Sequence, residues 1–127
     1  MSLIEITSEF ISAKISPMGA ELKSLYDFDE RFEYLWQGDE KFWKRSAPIL
    51  FPIVGKLKDD KYFVGNKYYQ MSQHGFARDL NFELISKTND YAHFRLEFNE
   101  DTLKLYPFKF SLDVHYKVYG PKLTVTY

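Results

Sequence analysis

Residues 108–118 read FKFSLDVHYKV and alternate between apolar and polar side chains along the whole stretch. The apolar positions share one face of an extended chain, and the polar positions share the other. Such period-two alternation is typical of an antiparallel strand with one buried face and one wetter face. Residues 91–98, YAHFRLEF, repeat the pattern. The chain is therefore predicted to be all-β.

Turn signals separate further strands. Gly65-Asn66 favours a type II′ hairpin, and Gly120-Pro121 marks another turn. Only residues 100–105 look like a helical turn, which Pro107 ends. The predicted strands are residues 10–15, 20–26, 62–64, 67–71, 81–87, 91–98, 108–119 and 122–127. They predict an antiparallel β-sandwich.

Composition limits the classes of function. The chain has 127 residues, with 17 Lys and Arg against 18 Asp and Glu, so a strongly basic nucleic-acid-binding protein is excluded. No apolar run is long enough to span a membrane, and no signal-peptide pattern opens the sequence. The absence of cysteine excludes disulfides and Cys-ligated zinc. The aromatic content of 19% suits sheet packing, with stacking on sugar rings or bases as the less common alternative.

The domain organisation follows from the absence of any internal boundary. No linker, repeat or low-complexity tract interrupts the chain, so residues 1–127 are expected to belong to a single domain. Residues 122–127, KLTVTY, still alternate like a strand where the sequence stops. Domains rarely stop in this way, so we expect the chain to be the front part of a longer protein.

Three segments do not fit plain strands and turns, and the shortest is residues 106–108, where proline fixes the entry to the longest strand. Residues 43–56 carry two prolines around a bulky apolar run, which predicts an irregular crossing segment or an edge strand. Residues 73–79, QHGFARD, contain Gly75, whose backbone freedom would bring His74 and Arg78 toward a common point. A histidine beside a loop glycine is more often structural than catalytic, so the residues alone leave both roles open.

The remaining polar residues carry weaker signals. His93 and His115 fall on polar strand faces, where we expect solvated side chains. No closely spaced histidine pair predicts a metal site, and no glycine-rich phosphate loop is present. Lys56 opens a mixed-charge cluster that is typical of a solvated loop.

The order of five segments resembles the amino-terminal part of the aldose 1-epimerases, and most closely the galactose-mutarotase-related branch that includes the LacX-type proteins. These segments are GAELKSL (19–25), LWQGDEKFW (35–43), APILFPIVGKLKDD (47–60), QHGFARDLNFEL (73–84) and YPFKFSLDVHYKV (106–118). The pair FPIVG and HGFAR at this spacing is fairly specific. The resemblance implies a galactose mutarotase-like supersandwich with an open sugar cleft, of which this chain would be an incomplete half.

The resemblance also implies an isomerase that interconverts the α and β anomers of a hexose by acid/base ring opening, with no cofactor and no metal. His74 matches the family histidine that hydrogen-bonds near the ring oxygen. Arg78 matches the arginine that closes HGFAR, a donor to sugar hydroxyls or to a phosphate. Lys56 stands where many relatives carry arginine, so the charge is kept but the bidentate fork is lost. By the family's order, the main acid histidine and the base glutamate come after Tyr127 and are not in this chain.

Two alternatives stay open at this point. The chain could be a non-catalytic carbohydrate-binding sandwich, or the resemblance could report the fold alone. In the leading interpretation the partner is a small-molecule sugar, with no nucleic acid and no membrane, and the protein serves cytoplasmic carbohydrate metabolism. Galactose, glucose, a hexose 6-phosphate and a disaccharide all remain as ligands. Uncovered strand edges would favour self-association or pairing with a separate second half.

Overall fold

The computed structural model describes residues 2–127, and most of their regular structure is antiparallel sheet. Sheet 1 has the strand order β1-β2-β3-β4, sheet 2 has the order β10-β9-β8-β7, and β5 and β6 form a separate hairpin. The elements are β1 (Ile4–Thr7), β2 (Ile11–Ser16), β3 (Glu21–Asp27), β4 (Phe32–Glu33), β5 (Lys61–Val64), β6 (Lys67–Gln70), β7 (Glu83–Lys87), β8 (Tyr91–Glu97), α1 (Glu100–Leu105), β9 (Ser111–Tyr119) and β10 (Lys122–Thr126).

The two sheets pack against each other around one hydrophobic core. Alternate residues of β2 face alternate residues of β8 and β9, as the period-two pattern requires. The buried apolar residues of these three strands are Ile11, Ala13, Ile15, Ala92, Phe94, Leu96, Val114, Tyr116 and Val118. The Tyr116 hydroxyl donates a 2.6 Å hydrogen bond to the Ala20 carbonyl and so ties the two sheets together. Burial, with smaller contributions from Tyr127 and Glu21, raises the pKa of Tyr116.

The predicted strands are present, but their bounds and number differ from the sequence prediction. The short strands β1 and β4 were not predicted, and they complete sheet 1. The strand predicted from residue 108 begins at Ser111. Phe108 packs edge-on against Tyr106 at 5.0 Å, whereas the Phe110 carbonyl still accepts a backbone hydrogen bond from Phe98 at 3.1 Å. The irregular entry to the strand is therefore short.

The local signals at α1 and at the hairpin are confirmed. Asn99 and Thr102 form a capping box, in which the Asn99 side chain accepts from the Thr102 amide and the Thr102 hydroxyl accepts from the Asn99 amide. Gly65 has a φ of 60°, as the first central residue of a type II′ turn requires. No helix within residues 2–127 is long and apolar enough to cross a membrane.

The predicted crossing segment is irregular in the structure. Within the described chain, residues 34–57 form no helix and no strand beyond an isolated parallel bridge between Phe51 and Gly75. The Phe51 carbonyl accepts backbone hydrogen bonds from Phe76 and Ala77, at 2.9 and 3.1 Å. These bonds attach the crossing segment to the loop that carries His74.

Candidate functional site

The site residues are positioned by a close approach of two backbones. Gly75 has a φ of 74°, and a Cβ atom at this position would lie 2.2 Å from the Phe51 carbonyl oxygen. Only glycine combines a left-handed backbone with that contact. Because Gly75 has no Cβ atom, the QHGFARD loop can lie directly against the FPIVG segment.

His74 is held by two hydrogen bonds to one residue. Its backbone amide donates to the Gly55 carbonyl at 2.9 Å, and the Gly55 amide donates to His74 Nδ1 at 2.8 Å. Because Nδ1 acts as an acceptor, this bonding pattern assigns the proton of the neutral ring to Nε2. The half-buried ring therefore offers one N–H donor, with the Gln73 side-chain nitrogen 3.5 Å from Nε2.

Arg78 lies close to His74 in the chain and is linked to it through Gln73. One terminal nitrogen of the guanidinium donates to the Gln73 carbonyl at 3.1 Å. The Nε atom is buried and has no hydrogen-bond partner among the described residues. An unsatisfied buried donor costs roughly 1–3 kcal/mol, and a ligand oxygen could reach Nε only if the Arg78 side chain moved, because the atom is closed to solvent.

A small cavity of about 250 Å³ lies beside Arg78. Its walls carry basic side chains, among them Lys44 and Arg45, and the carboxylates of Glu21 and Asp79. Arg45 is paired with Asp79 at 2.7 Å. The residues that line this cavity do not include His74, so the structure brings Arg78 and His74 together through Gln73 rather than through a shared cavity wall.

Lys56 follows Gly55 directly in sequence, but its side chain forms an ion pair with Asp60. The Lys56 ammonium lies 2.7 Å from Asp60 Oδ1 and is 60% exposed. Exposed pairs four residues apart contribute only a few tenths of a kcal/mol, about 0.3–0.5. The Lys56 side chain is therefore bound to Asp60 at the solvent-exposed edge of the loops and makes no hydrogen bond to His74 among the described residues.

The sequence analysis missed a polar cluster on the outer face of sheet 2, where the expectation of solvated histidines was wrong. The His93 side chain is only 12% exposed, and its ring stacks on His115 with centroids 4.0 Å apart. Asp113 Oδ1 lies 2.9 Å from His93 Nε2 and accepts from Arg95 Nε at 2.6 Å. The Tyr91 hydroxyl lies 2.6 Å from His115 Nδ1.

Arg95 keeps the Asp113 carboxyl of this cluster ionised. Its hydrogen bond holds the pKa of the Asp113 carboxyl below the usual range, although partial burial acts in the opposite direction. The cross-strand register, in which His93 faces His115 and Arg95 faces Asp113, could have revealed the cluster from the two strand patterns. Within residues 2–127, no group of three or more His, Asp or Glu side chains is placed to hold a metal ion.

The family model and the sequence relatives agree on one family. The family model for aldose 1-epimerase matches residues 2–127. The plasmid and chromosomal forms of Protein LacX from Lactococcus lactis subsp. lactis are each 33% identical to the chain over 129 aligned positions, which cover 94% of the chain and 42% of LacX.

Solved structures agree with the sequence relatives. A galactose mutarotase-like protein from Lactobacillus casei superimposes with a TM-score of 0.94 at 44% identity, over 98% of this chain and 42% of that protein. A galactose mutarotase related enzyme from Lactobacillus acidophilus gives 0.90 at 42% identity, over 92% and 39%. The predicted fold class, a galactose mutarotase-like antiparallel β-sandwich, is confirmed, and the chain spans about two fifths of these relatives.

Proposed function

The chain belongs to the aldose 1-epimerase family, and on that premise we propose that it forms part of a cleft in which the α and β anomers of a hexose interconvert without a cofactor. A base takes the proton of the anomeric hydroxyl, the bond between C1 and the ring oxygen breaks as the carbonyl forms, and an acid protonates the ring oxygen. Rotation about C1–C2 and the reverse steps give the other anomer. The protein would thus act as an isomerase of cytoplasmic sugar metabolism.

His74 is proposed to hydrogen-bond near the ring oxygen. The observation that carries the proposal is its reciprocal bonding with Gly55, which occupies Nδ1 and leaves Nε2–H as the donor. A donor at this position would stabilise negative charge that develops on the ring oxygen as the C1–O bond breaks. Because Nδ1 is already an acceptor, the role suits a positioned donor better than a proton shuttle.

Arg78 and Lys56 are proposed as substrate-binding residues of unequal importance. Arg78 lines the cavity, and the bond from its guanidinium to the Gln73 carbonyl holds the side chain in place, which favours a direct bond to a sugar hydroxyl. Lys56 would have to leave Asp60 before it could reach a sugar. We therefore expect Arg78 to contribute more binding energy than Lys56.

The main acid and base are proposed to be contributed from outside residues 1–127, in the order of the family's motifs. Positioned acid and base groups each accelerate proton transfer by roughly 10²–10⁴-fold. Without them, His74 could still stabilise some charge on the ring oxygen, but neither proton transfer would have a positioned partner. The 127-residue chain alone is therefore expected to bind sugar weakly and to show little mutarotation above buffer.

A chimera tests the proposal. Residues 1–127 replace the matched segment of the Lactobacillus casei protein, and polarimetry follows freshly dissolved α-galactose and α-glucose, with the parent as the reference. We expect the chimera to accelerate mutarotation, His74→Gln to lower kcat at least tenfold, and Lys58→Gln, an exposed lysine, to leave it unchanged. Rapid mutarotation by the 127-residue chain alone, or full activity of the His74→Gln chimera, would contradict the assignment.

The alternative is a carbohydrate-binding sandwich without turnover. The cavity beside Arg78 and the fixed His74 ring would serve binding equally well, so geometry alone does not separate the two. Binding of galactose by a chimera that remains inactive beside an active parent would favour this alternative.

A further inference from the structure

A groove of about 430 Å³ crosses the outer face of sheet 1, on the side opposite the core. Its volume falls in the range of about 300–1,000 Å³ that is usual for small-molecule sites. Side chains of β1, β2 and β3 and of the segment after β4 line it, and none of His74, Arg78 and Lys56 does. Lys23 lines both this groove and the cavity beside Arg78, so the two are adjacent, but the groove contains none of the three candidate site residues.

A β-bulge shapes this groove. Between the pairs Lys14↔Ser24 and Ile15↔Leu22, β3 carries one residue more than β2. That extra residue, Lys23, kinks the strand and changes which side chains of β3 face outward. As a result, both Lys23 and Ser24 line the groove, although they are neighbours in sequence.

Aromatic rings form the apolar wall of the groove. Tyr26 and Phe28 lie with their ring centroids 5.9 Å apart in an edge-to-face arrangement, and Phe28 is 43% exposed. Ring faces of this kind offer large apolar contact area at low conformational cost, and they suit the C–H faces of a sugar ring.

A lysine and a carboxylate also line the groove. Lys14 is half-buried, and no carboxylate of the described chain lies within ion-pair distance of its ammonium. The Glu33 carboxylate accepts from the Ser24 hydroxyl and from the amides of Leu25 and Leu35. Burial alone would raise the pKa of Glu33, but these bonds and Lys14 hold it below its usual value, so the carboxylate is ionised.

The charges in the groove balance. Glu5, which accepts from the Ser12 hydroxyl at 2.7 Å, adds a second carboxylate, and Lys23 adds a second ammonium that is paired with Glu21. A phosphate or carboxylate ligand would meet two like charges here. A neutral polyhydroxyl ligand, whose groups both donate and accept, would satisfy the ammonium of Lys14 and the carboxylates together.

We propose that this groove is a second carbohydrate-binding site, which takes a neutral mono- or disaccharide between the Tyr26–Phe28 wall and Lys14. The inference does not depend on the function proposed for His74.

Amide NMR of the ¹⁵N-labelled 127-residue chain tests the site with lactose and maltose as probes. We expect saturable shifts with a millimolar Kd at residues of the groove, and a Kd roughly three- to tenfold weaker in Tyr26→Ala and in Lys14→Met. His74→Gln and Phe63→Ala, the latter an aromatic that is 72% exposed on β5, serve as controls and should leave these shifts unchanged.

Four results would overturn the proposal. The first is the absence of groove shifts at saturating disaccharide in a chain whose spectrum is dispersed. The second is unaltered binding in Lys14→Met and Tyr26→Ala, each checked for a folded spectrum. The third is displacement of the disaccharide by inorganic phosphate, which would make the groove an anion site. Loss of groove binding in His74→Gln would place the sugar at the His74 site and would likewise contradict a second site.

Discussion

Strands β8 and β9 and the loops around His74 are ordered by different means. The two strands pair without interruption from Tyr91↔Lys117 to Glu97↔Ser111, and every second side chain enters the core. The loops have no repeating pattern and depend on the approach of Gly75 to Phe51 and on the bonds between His74 and Gly55. Many equivalent contacts in one repeating register therefore specify the sheet, whereas a few individual contacts specify the site.

The largest effect is expected from the core of sheet 2. Phe94→Ala removes a fully buried ring that packs edge-on against Tyr116, and it should lower the free energy of unfolding by about 3–5 kcal/mol. Denaturant unfolding followed by fluorescence measures the change. Phe63→Ala, at an exposed position, is the control and should stay within about 0.5 kcal/mol of wild type. Equal effects of the two variants would mean that the sheet is not packed as described.

The next effect tests the close approach in the loops. Gly75→Ala places a methyl group against the Phe51 carbonyl and should cost roughly 2–4 kcal/mol, because backbone on both sides must move. Gly55→Ala is the matched control, since Gly55 has a φ of 89° but no atom within 4 Å of the added Cβ. That variant should cost about 1 kcal/mol from backbone strain alone. Similar costs for both would show that φ, not the contact with Phe51, constrains the loop.

The sheets could be predicted from sequence wherever alternation is long. The patterns at 91–98 and 108–118 located β8 and β9, but the predicted start of β9 was three residues too early, because the regular strand begins at Ser111 and not at Phe108. The alternation Ile4-Glu5-Ile6-Thr7 indicates β1, although the strand was not predicted. Strand β4 has only two residues and gives no periodic signal.

The site could be predicted only in part, because its contacts join distant segments. Gly75 indicated a bend beside His74 from sequence alone. The bond between His74 and Gly55 spans 19 residues and leaves no local pattern, so the orientation of the ring could not be predicted. The bulge at Lys23 was equally invisible, because it depends on how β2 and β3 pair.

A smaller, pH-dependent effect is expected on the polar face of sheet 2. The hydrogen bond from Arg95 lowers the pKa of Asp113 in the folded state, so ionised Asp113 contributes stability above its unfolded pKa of about 4. This contribution is lost as the pH falls through the lower folded pKa. Asp113→Asn should therefore show a smaller fall in Tm between pH 5 and pH 2 than wild type, and Arg95→Gln should behave in the same way. Parallel Tm curves for all three proteins would contradict a stabilising Asp113–Arg95 bond.

The smallest effect is expected at the rim of the loops, where Lys56 meets Asp60. Both side chains are largely solvated, so the attraction is screened and ordering two flexible side chains offsets much of it. A double-mutant cycle with Lys56→Gln and Asp60→Asn should therefore give a coupling energy of about 0.3–0.5 kcal/mol that disappears near 1 M salt. A coupling above about 1 kcal/mol that persists in salt would show that Lys56 is ordered by more than Asp60. Lys56 would then be held as firmly as the backbone at Gly75, and the loops would not differ in order between the Gly75 contact and the Lys56–Asp60 pair.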